Sequence, residues 1–432
     1  MDSSKIVRNI YINGDLGQYN RGTIYLQNNK PEKALQCFRR EKDSFKELYL
    51  NMGNAYRYIG AYDKARDYYL LANSPDVLDL DGVGGEYPSA LGNLGLLAYM
   101  VGEDADAGWF CNRALVLDPL HAMTIWNFSL VLLREYCSGG QLHKDAWKMH
   151  EYRFRAVKEI EKMPWWDGVS KVSGPLVVLN EQGMGDKIMY GRYLKKLSTY
   201  CDSLVVQCPV EMNPLFNSMG YKTLNGPASI DYTVGIPFGV LPRIFGEVSE
   251  DWLGSYEKPK NNRFKVYVEW AGSASHINNK NRSCFAGYFA ALAKKFPLVE
   301  FVNARPDAER VRGIKALKSV DWGNTVDIIR GCDLVISVDT SIVHLAGTLG
   351  IETWMMQPLY DTDFRWGNPK TKKLLGIDPE WNLWYKSVRV LENNGWEQMF
   401  DEIGQRLRNR TDGFRQLLAL VEEKIAKGEN LV

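Results

Sequence analysis

The chain has 432 residues, 45% of them hydrophobic and 24% charged, and 53 Lys+Arg nearly balance 52 Asp+Glu for a net charge of +1. That is the composition of a folded globular protein, so wholesale disorder and collagen-like repeats are excluded, and there is no global drive toward nucleic acid or a membrane surface. At about 150 residues per domain, the length sets a prior of roughly three domains.

The N-terminal stretch MDSSKIVRNIYING lacks the apolar run of a signal peptide, and the longest apolar runs are strand-sized, so neither a leader nor a membrane span is expected. Seven cysteines without a Cys-x-x-Cys pair point away from a disulfide framework or a zinc ribbon and toward a reducing cytoplasm. The first third reads as a helical repeat. Gly22, Tyr25, Ala34 and Phe38 have tetratricopeptide spacing. So do Gly53, Tyr56, Ala65, Tyr69 and Ala72, and then Gly95, Ala98, Ala107, Ala114 and Pro119. A looser fourth copy runs through TIWNFSLVLL to Asp145–Phe154. The glycines are 31 and 42 residues apart, against an ideal period of about 34, and the longer step contains DVLDLDGVGGEYPS, which reads as a loop. Such an array stacks into a concave surface that serves either as scaffold or as a groove for a partner. Tyr25, Tyr56, Tyr68, Tyr69, Trp109 and Trp126 are expected in its core.

After MPWWDG (163–168) the helical period fails and strands alternate with helices. Strands are predicted at Gly174–Asn180 and Ser203–Gln207, with a third beginning in Asp231–Pro237, and a helix at Asp186–Tyr200. The polar segment Gly254–Arg263 reads as a linker. The alternation restarts with strands at Lys265–Trp270, Val299–Asn303, Asp333–Val338 and Glu352–Met356. Helices are predicted at Ser283–Phe296, Thr325–Cys332 and Ser341–Leu349. Two α/β units with parallel sheets, joined by a linker, make a cleft, and ligands of such sheets bind beyond the carboxyl ends of the strands.

Four loops carry polar chemistry. In Asn180–Asp186 (NEQGMGD), Gly183 and Gly185 permit a tight turn, and Asp186 reads either as a helix cap or as a carboxylate able to accept a hydroxyl proton. The segment from Trp270 to Ser283 gathers His276, Asn278, Asn279, Lys280, Arg282 and Ser283, donors suited to an anionic ligand such as a diphosphate. In the third loop a strand ends at Asp339, and Thr340 and Ser341 open a helix whose free N–H groups can hold a phosphate. His344 lies on the same helical face. The fourth, Asp361–Trp366, sets aromatics beside polar groups. Asp361-Thr-Asp363 and Asp79-Leu-Asp81 match D-x-D formally, but so many aspartates make chance matches common, and no metal is expected.

The pieces NEQGMGDKIMYGRYL, WAGSASHINNKNRS, CDLVISVDTSIVHLAGTLG, QPLYDTDFRWG and WYKSVRVL, in this order behind helical repeats, resemble bacterial tetratricopeptide-repeat glycosyltransferases. That group is related to the lipopolysaccharide heptosyltransferases and, more distantly, to the O-linked N-acetylglucosamine transferases. The resemblance implies a helical array over residues 1–165, followed by a GT-B-like pair of Rossmann-like α/β domains. These are an acceptor-side domain over 171–258 and a nucleotide-sugar-binding domain with terminal helices over 262–432. It implies an inverting transfer that uses no cofactor and no metal, with Asp186 as general base. Donor contacts would come from His276, Lys280, Arg282, Ser283, Asp339, Thr340, Ser341 and His344. Asn180, Gln182, Asp363, Arg365 and Trp366 are candidate sugar or acceptor contacts. Where family members usually have Asn-Asp, this chain has Asn278–Asn279.

The expected function is therefore transfer of a sugar from a nucleoside-diphosphate sugar to an acceptor hydroxyl on protein, glycan or modified nucleic acid, in the cytoplasm and away from membranes, with a partner optionally held in the repeat groove. One alternative acceptor is a hydroxylated DNA base, because residues 255–320 carry 13 Lys/Arg against 5 Asp/Glu, a net of +8. The other alternative is a non-catalytic tetratricopeptide adaptor whose α/β half only binds nucleotide.

Overall fold

A computed structural model describes residues 17–157, 164–226, 234–246, 252–253, 263–274, 276, 278–305 and 307–426, with side chains through 412. The predicted linker, apart from Arg263, and the start of the Asp231–Pro237 strand lie outside the described residues. The chain divides into a helical unit and an α/β unit.

The helical unit is built from antiparallel pairs: Gln18–Gln27 with Pro31–Phe38, Lys46–Ile59 with Tyr62–Ala72, and Pro88–Met100 with Asp104–Leu117. One local rule builds all three. A glycine on the first helix lies against a side chain sixteen positions later on the second. A Cβ on Gly22 would come 2.4 Å from the Phe38 ring, one on Gly53 2.5 Å from the Tyr69 ring, and one on Gly95 2.5 Å from Cys111 Sγ. The absent Cβ is what lets each helix pair close. Ala34, Ala65, Ala72, Ala107 and Ala114 are fully buried. The long step between the second and third pairs is the predicted loop. It is organised by the buried Lys46, whose ammonium donates to the carbonyls of Ala72, Ser74 and Gly85, and by Asp79, whose Oδ1 accepts from the Asp81 and Val83 amides. The helices Ala122–Cys137, Ala146–His150 and Arg153–Val157 follow. Trp109, expected in the core, is instead 61% exposed. It points off the outer face of its helix and meets Phe110 edge-on at 5.1 Å, because the inward positions of that helix are taken by Ala107, Cys111 and Ala114.

The α/β unit contains two all-parallel sheets. In the first, β1 (Val172–Leu179), β2 (Cys201–Gln207), β3 (Lys222–Leu224) and β4 (Val234–Pro237) are ordered β3-β2-β1-β4. In the second, β5 (Lys265–Glu269), β6 (Glu300–Asn303), β7 (Ile314–Ala316), β8 (Leu334–Val338), β9 (Thr353–Met356) and β10 (Val388–Leu391) are ordered β10-β9-β8-β5-β6-β7. Each sheet winds outward from its first strand in one direction and then in the other, which is the doubly wound Rossmann pattern. The chain thus has a tetratricopeptide-like helical array followed by a pair of parallel α/β subdomains, as the repeat spacing and the alternation predict, in the GT-B-like arrangement that the family resemblance implies. The central strands read as near-continuous apolar runs because helices cover both faces; Leu334–Val338 is buried at every position.

Three local readings differ from the sequence expectation. The helix predicted at Asp186–Tyr200 starts earlier, at Met184, and breaks after Tyr190 into 3-10 and short α turns. The break begins at Gly191, where a Cβ would lie 2.3 Å from the Trp252 ring. The helix predicted at Ser283–Phe296 is confined to Gly287–Lys295, with a separate single turn before it at Asn279–Arg282, and between the two the Cys284 amide bonds to the Trp270 carbonyl at 2.8 Å. Trp165 and Trp166, within the predicted boundary stretch, extend the edge of the first sheet by pairing with Gly235.

The Gly-to-ring contacts give a paired test. Gly53→Ala should cost about 1–3 kcal/mol by overpacking against Tyr69. Gly108→Ala, mid-helix with nothing within 4 Å of its added methyl, should stabilise by about 0.5–1 kcal/mol through helix propensity alone. Urea denaturation of both variants checks the pair; equal effects would sink the close-approach argument.

Candidate functional site

In a doubly wound sheet the strand order reverses at one place, and the loops leaving the two strands there diverge and open a crevice. In the first sheet that place is between β1 and β4, in the second between β5 and β8. Three of the four loops singled out from the sequence leave β1, β5 and β8 at these points, and the fourth leaves β9.

The loop after β1 is rigidly held. The buried Lys187 ammonium donates to the carbonyls of Glu181, Gln182 and Gly183 at 2.9–3.3 Å. Glu181 Oε1 accepts from the Gly239 amide at 2.6 Å, spanning the switch point to the segment after β4. Gln207 Oε1 accepts from the Asn180 amide at 2.7 Å. Gln182 takes a left-handed φ of 56°. Gly183 is the N-cap of the helix Met184–Tyr190 and Asp186 its third residue. Asp186 Oδ2 accepts from the Gly183 amide at 2.8 Å, the reach-back half of a capping box. Asp186 therefore does cap the helix, while its other oxygen accepts from the Arg365 guanidinium.

In the second sheet, Arg282 Nη1 donates to the Asp339 carbonyl at 3.1 Å across the switch point. Its guanidinium lies 2.3–2.6 Å from where a Cβ on Gly272 would be, so any side chain there would displace it. Thr340 occupies the N-cap position of the helix Ser341–Thr348, and its hydroxyl meets Ser337 Oγ at 3.1 Å. The Asp339 carboxyl is pushed up to about 6, first by burial and then by the neighbouring Asp363. His344 is buried and its Nδ1 lies 3.0 Å from the Tyr385 hydroxyl. Burial, then Arg365, push it down to about 3, so it is neutral at pH 7. A Cβ on Gly185 would come 2.7 Å from His344 Cδ2, so Gly185 is what allows the first loop to approach this helix.

The fourth loop closes the cluster. Arg365 Nη1 donates to Asp363 Oδ2 at 2.6 Å, and Nη2 to Asp186 and to the Tyr190 hydroxyl, the latter at 3.1 Å. Asp363 also caps the turn Phe364–Trp366 by accepting from the Arg365 amide. Trp366 is wholly buried and stacks on His344, centroids 5.2 Å apart.

Asp186, Arg282, Asp339, Thr340, His344, Asp363, Arg365 and Trp366 are thereby brought together with Gly183 and Gly185. Arg365 and Trp366, candidate sugar or acceptor contacts, are enclosed by protein groups, and His344, a candidate donor contact, is neutral at pH 7. Asn180, Gln182, His276 and Lys280 are exposed around the cluster, and Ser283 turns back to Asn279 Oδ1 at 3.0 Å. Ser341 is partly buried at the first helical position. Sequence reasoning missed Lys187, Tyr190 and the pair Glu269–Arg305, whereas Tyr385 belongs to the quoted piece WYKSVRVL. Arg305 Nη1 joins Glu269 at 3.0 Å to the Ala271 carbonyl at 2.6 Å, anchoring the start of the second loop. Only Glu269 gave a signal, a carboxylate ending an apolar strand. Among the described residues no three His, Cys, Asp or Glu side chains are grouped as a metal would need, and no helix is long and apolar enough to cross a membrane.

The tetratricopeptide-repeat family model matches residues 17–40 and 46–74. No curated protein sequence matches the chain. Among solved structures, the E. coli ADP-heptose lipopolysaccharide heptosyltransferase II is 13% identical, covering 58% of this chain and 99% of its own, with a TM-score of 0.34. A mutant of the Thermobaculum terrenum O-GlcNAc transferase is 10% identical over 95% of this chain and 92% of its own, with a TM-score of 0.32. The second TPR domain of human RPAP3 is 22% identical over 27% and 92%, with a TM-score of 0.23. At such scores the fold rests on this chain's own strand order and helix pairing.

Asp339 gives a pH test. Its folded pKa of about 6 lies above the unfolded value of about 3.9, so the stability linked to its proton is complete below pH ~4 and is lost as pH rises through ~6. Asp339→Asn never ionises. Its melting temperature relative to the native chain should therefore rise between pH 4.5 and pH 8; a difference that is flat or falls with pH overturns the assignment.

Proposed function

We propose that this chain is an inverting, metal-independent glycosyltransferase that moves a sugar from a nucleoside-diphosphate sugar to an acceptor hydroxyl. The observation that carries the reading is that the carboxyl-end loops of the two sheets meet. Asp186, from the first sheet, lies against the loops of the second, where Arg282 spans the switch point beside the N-terminus of the helix Ser341–Thr348.

In this reading the donor diphosphate lies in the β5/β8 crevice. The charge developing on it is met by Arg282, by Lys280 and by the N–H groups that open the helix at Ser341. His344 contributes as a neutral group; in the tautomer where Tyr385 donates to Nδ1, Nε2 carries a proton on the side of Gly185. Asp186 takes the proton of the acceptor hydroxyl as the oxygen attacks the sugar C1 from the face opposite the diphosphate, which inverts that carbon. Both D-x-D aspartate pairs support a metal-free reaction, since Asp363 is engaged by Arg365 and Asp79 by its own loop. Division into 1–165, 171–258 and 262–432, a cytoplasmic setting and a partner in the repeat groove belong to the same proposal. The net charge of +8 over 255–320 makes a hydroxylated base in DNA the second acceptor reading, and binding that falls steeply with salt would favour it.

Asp186→Asn should lower turnover about a hundredfold or more, the scale of a lost general base, with donor affinity nearly unchanged. The sequence alone suggests that this variant leaves stability untouched. The structure alters that: removing one carboxylate from the buried Arg365 should also lower the melting temperature, so turnover is measured well below it. Near-normal turnover would refute the base.

Arg282→Ala should weaken nucleoside-diphosphate binding by about 1.5–3 kcal/mol in calorimetry, the range of a charged hydrogen bond. Transfer should survive EDTA. Activity lost in chelator and restored by magnesium or manganese would overturn the metal-free mechanism, and absence of transfer or donor hydrolysis with every nucleotide sugar would favour the adaptor.

A further inference from the structure

Arg365 is a buried cation of this cluster whose partners come from the loops of both sheets. It is 5% exposed and belongs to the loop after β9, in the second sheet. Two of its partners, Asp186 and Tyr190, belong to the helix after β1, in the first. The third, Asp363, is its neighbour in the chain. Its cation lies 5.5 Å from the Tyr190 ring centre and 4.7 Å from that of Phe364. Two carboxylates, one from each sheet's loops, fix its position.

We propose that Arg365 is a positioning residue: it fastens Asp186 to the second α/β half and so presents the base only when the two halves are drawn together. The inference rests on the glycosyl-transfer reading and goes beyond it by assigning the closed arrangement to one bridging cation. Asp186 Oδ2 accepts from the Gly183 amide and Oδ1 from Arg365, so both carboxylate oxygens are held and the base is fixed in rotation. Arginine suits this role because its planar fork reaches two carboxylates at once, whereas an ammonium is a single point of charge. Asp363 holds the guanidinium from the other side, so that Arg365 keeps its place when the first half moves away.

The test uses the full chain and three variants, Arg365→Gln, Arg365→Lys and Asp363→Asn, with two readouts. In steady-state transfer, Arg365→Gln should lower kcat at least tenfold with the donor and acceptor KM within twofold of native. Arg365→Lys should recover part of that loss, and Asp363→Asn should lose less than Arg365→Gln. In hydrogen exchange, the amides of 183–190 should exchange faster in Arg365→Gln while β5, β6 and the helix Gly287–Lys295 keep their native protection. Three results would each overturn the proposal: a raised KM with kcat unchanged, which makes Arg365 a substrate contact; faster exchange throughout the second sheet, which makes it ordinary core; or no change in either readout. If Arg365→Gln does not fold, Arg365→Lys carries the test, and native kcat with native exchange in that variant overturns it. If the native chain transfers no sugar, the glycosyl-transfer reading fails, while the exchange measurement still decides whether Arg365 ties the two halves.

Discussion

The parallel winding of the two sheets is the constraint from which the site follows. In each sheet every strand runs the same way, so every loop that can carry chemistry emerges at one edge, and reversal of the strand order separates two of those loops. Residues far apart in sequence are brought together by this alone. Asp186 and Arg365 are 179 positions apart, and Arg282 and Asp339 are 57 apart. The apolar runs that make the strands, such as Leu176–Leu179 and Leu334–Val338, therefore determine where the charges meet, though they carry none themselves.

Burial of charge is the second theme, and the chain handles it in two ways. Lys46, Lys187 and Lys372 are buried lysines, each donating to three backbone carbonyls. Burial pushes Lys372 down to about 8 and lowers the other two in the same direction. Each ammonium serves as the centre of an irregular loop, which would otherwise leave carbonyls without donors. One such loop separates two helical repeats, and another carries Gly183 and Gly185.

Much of the architecture was legible in the sequence because it rests on local patterns. A glycine and a ring sixteen residues apart mark the first two helical pairs, glycine and alanine at repeat spacing mark the third, and short apolar runs followed by polar, glycine-containing loops mark the central strands. The edge strands β3 and β7 were missed because they are three residues long and pair on one side, too short for alternation to register. β10 was missed although Val388, Val390 and Leu391 are inward, since so brief a run follows a loop with no clear start signal. In the site, Asp186, Arg282 and Asp339 were legible as polar residues following strands. The environments of Arg365, Trp366 and His344 were not. Whether an arginine faces solvent or two carboxylates depends on which distant loop the topology places opposite it, and no local spacing reports that. The outward turn of Trp109 was hidden for a related reason: three small residues already fill the inward face of its helix.

The contrast between the lysines and Arg365 separates scaffold from site. Each of these ammoniums is held by carbonyls within one unit, the loop before Pro88 for Lys46 and chain neighbours for Lys187 and Lys372, and none relies on a carboxylate from the opposite sheet. Arg365 is different, because one of its carboxylates is a neighbour in sequence and the other arrives from the opposite sheet. Desolvating a guanidinium is costly, and breaking a buried pair leaves an uncompensated charge. The Asp186–Arg365 pair is therefore favourable only while the two sheets keep their loops in contact. Gly185 permits the same approach by steric means, lacking the methyl that would strike His344. A small residue that lets the loops touch and a charge that favours their touching lie within one turn of helix of each other on the first sheet's side. Together they make the position of Asp186 a property of both sheets at once.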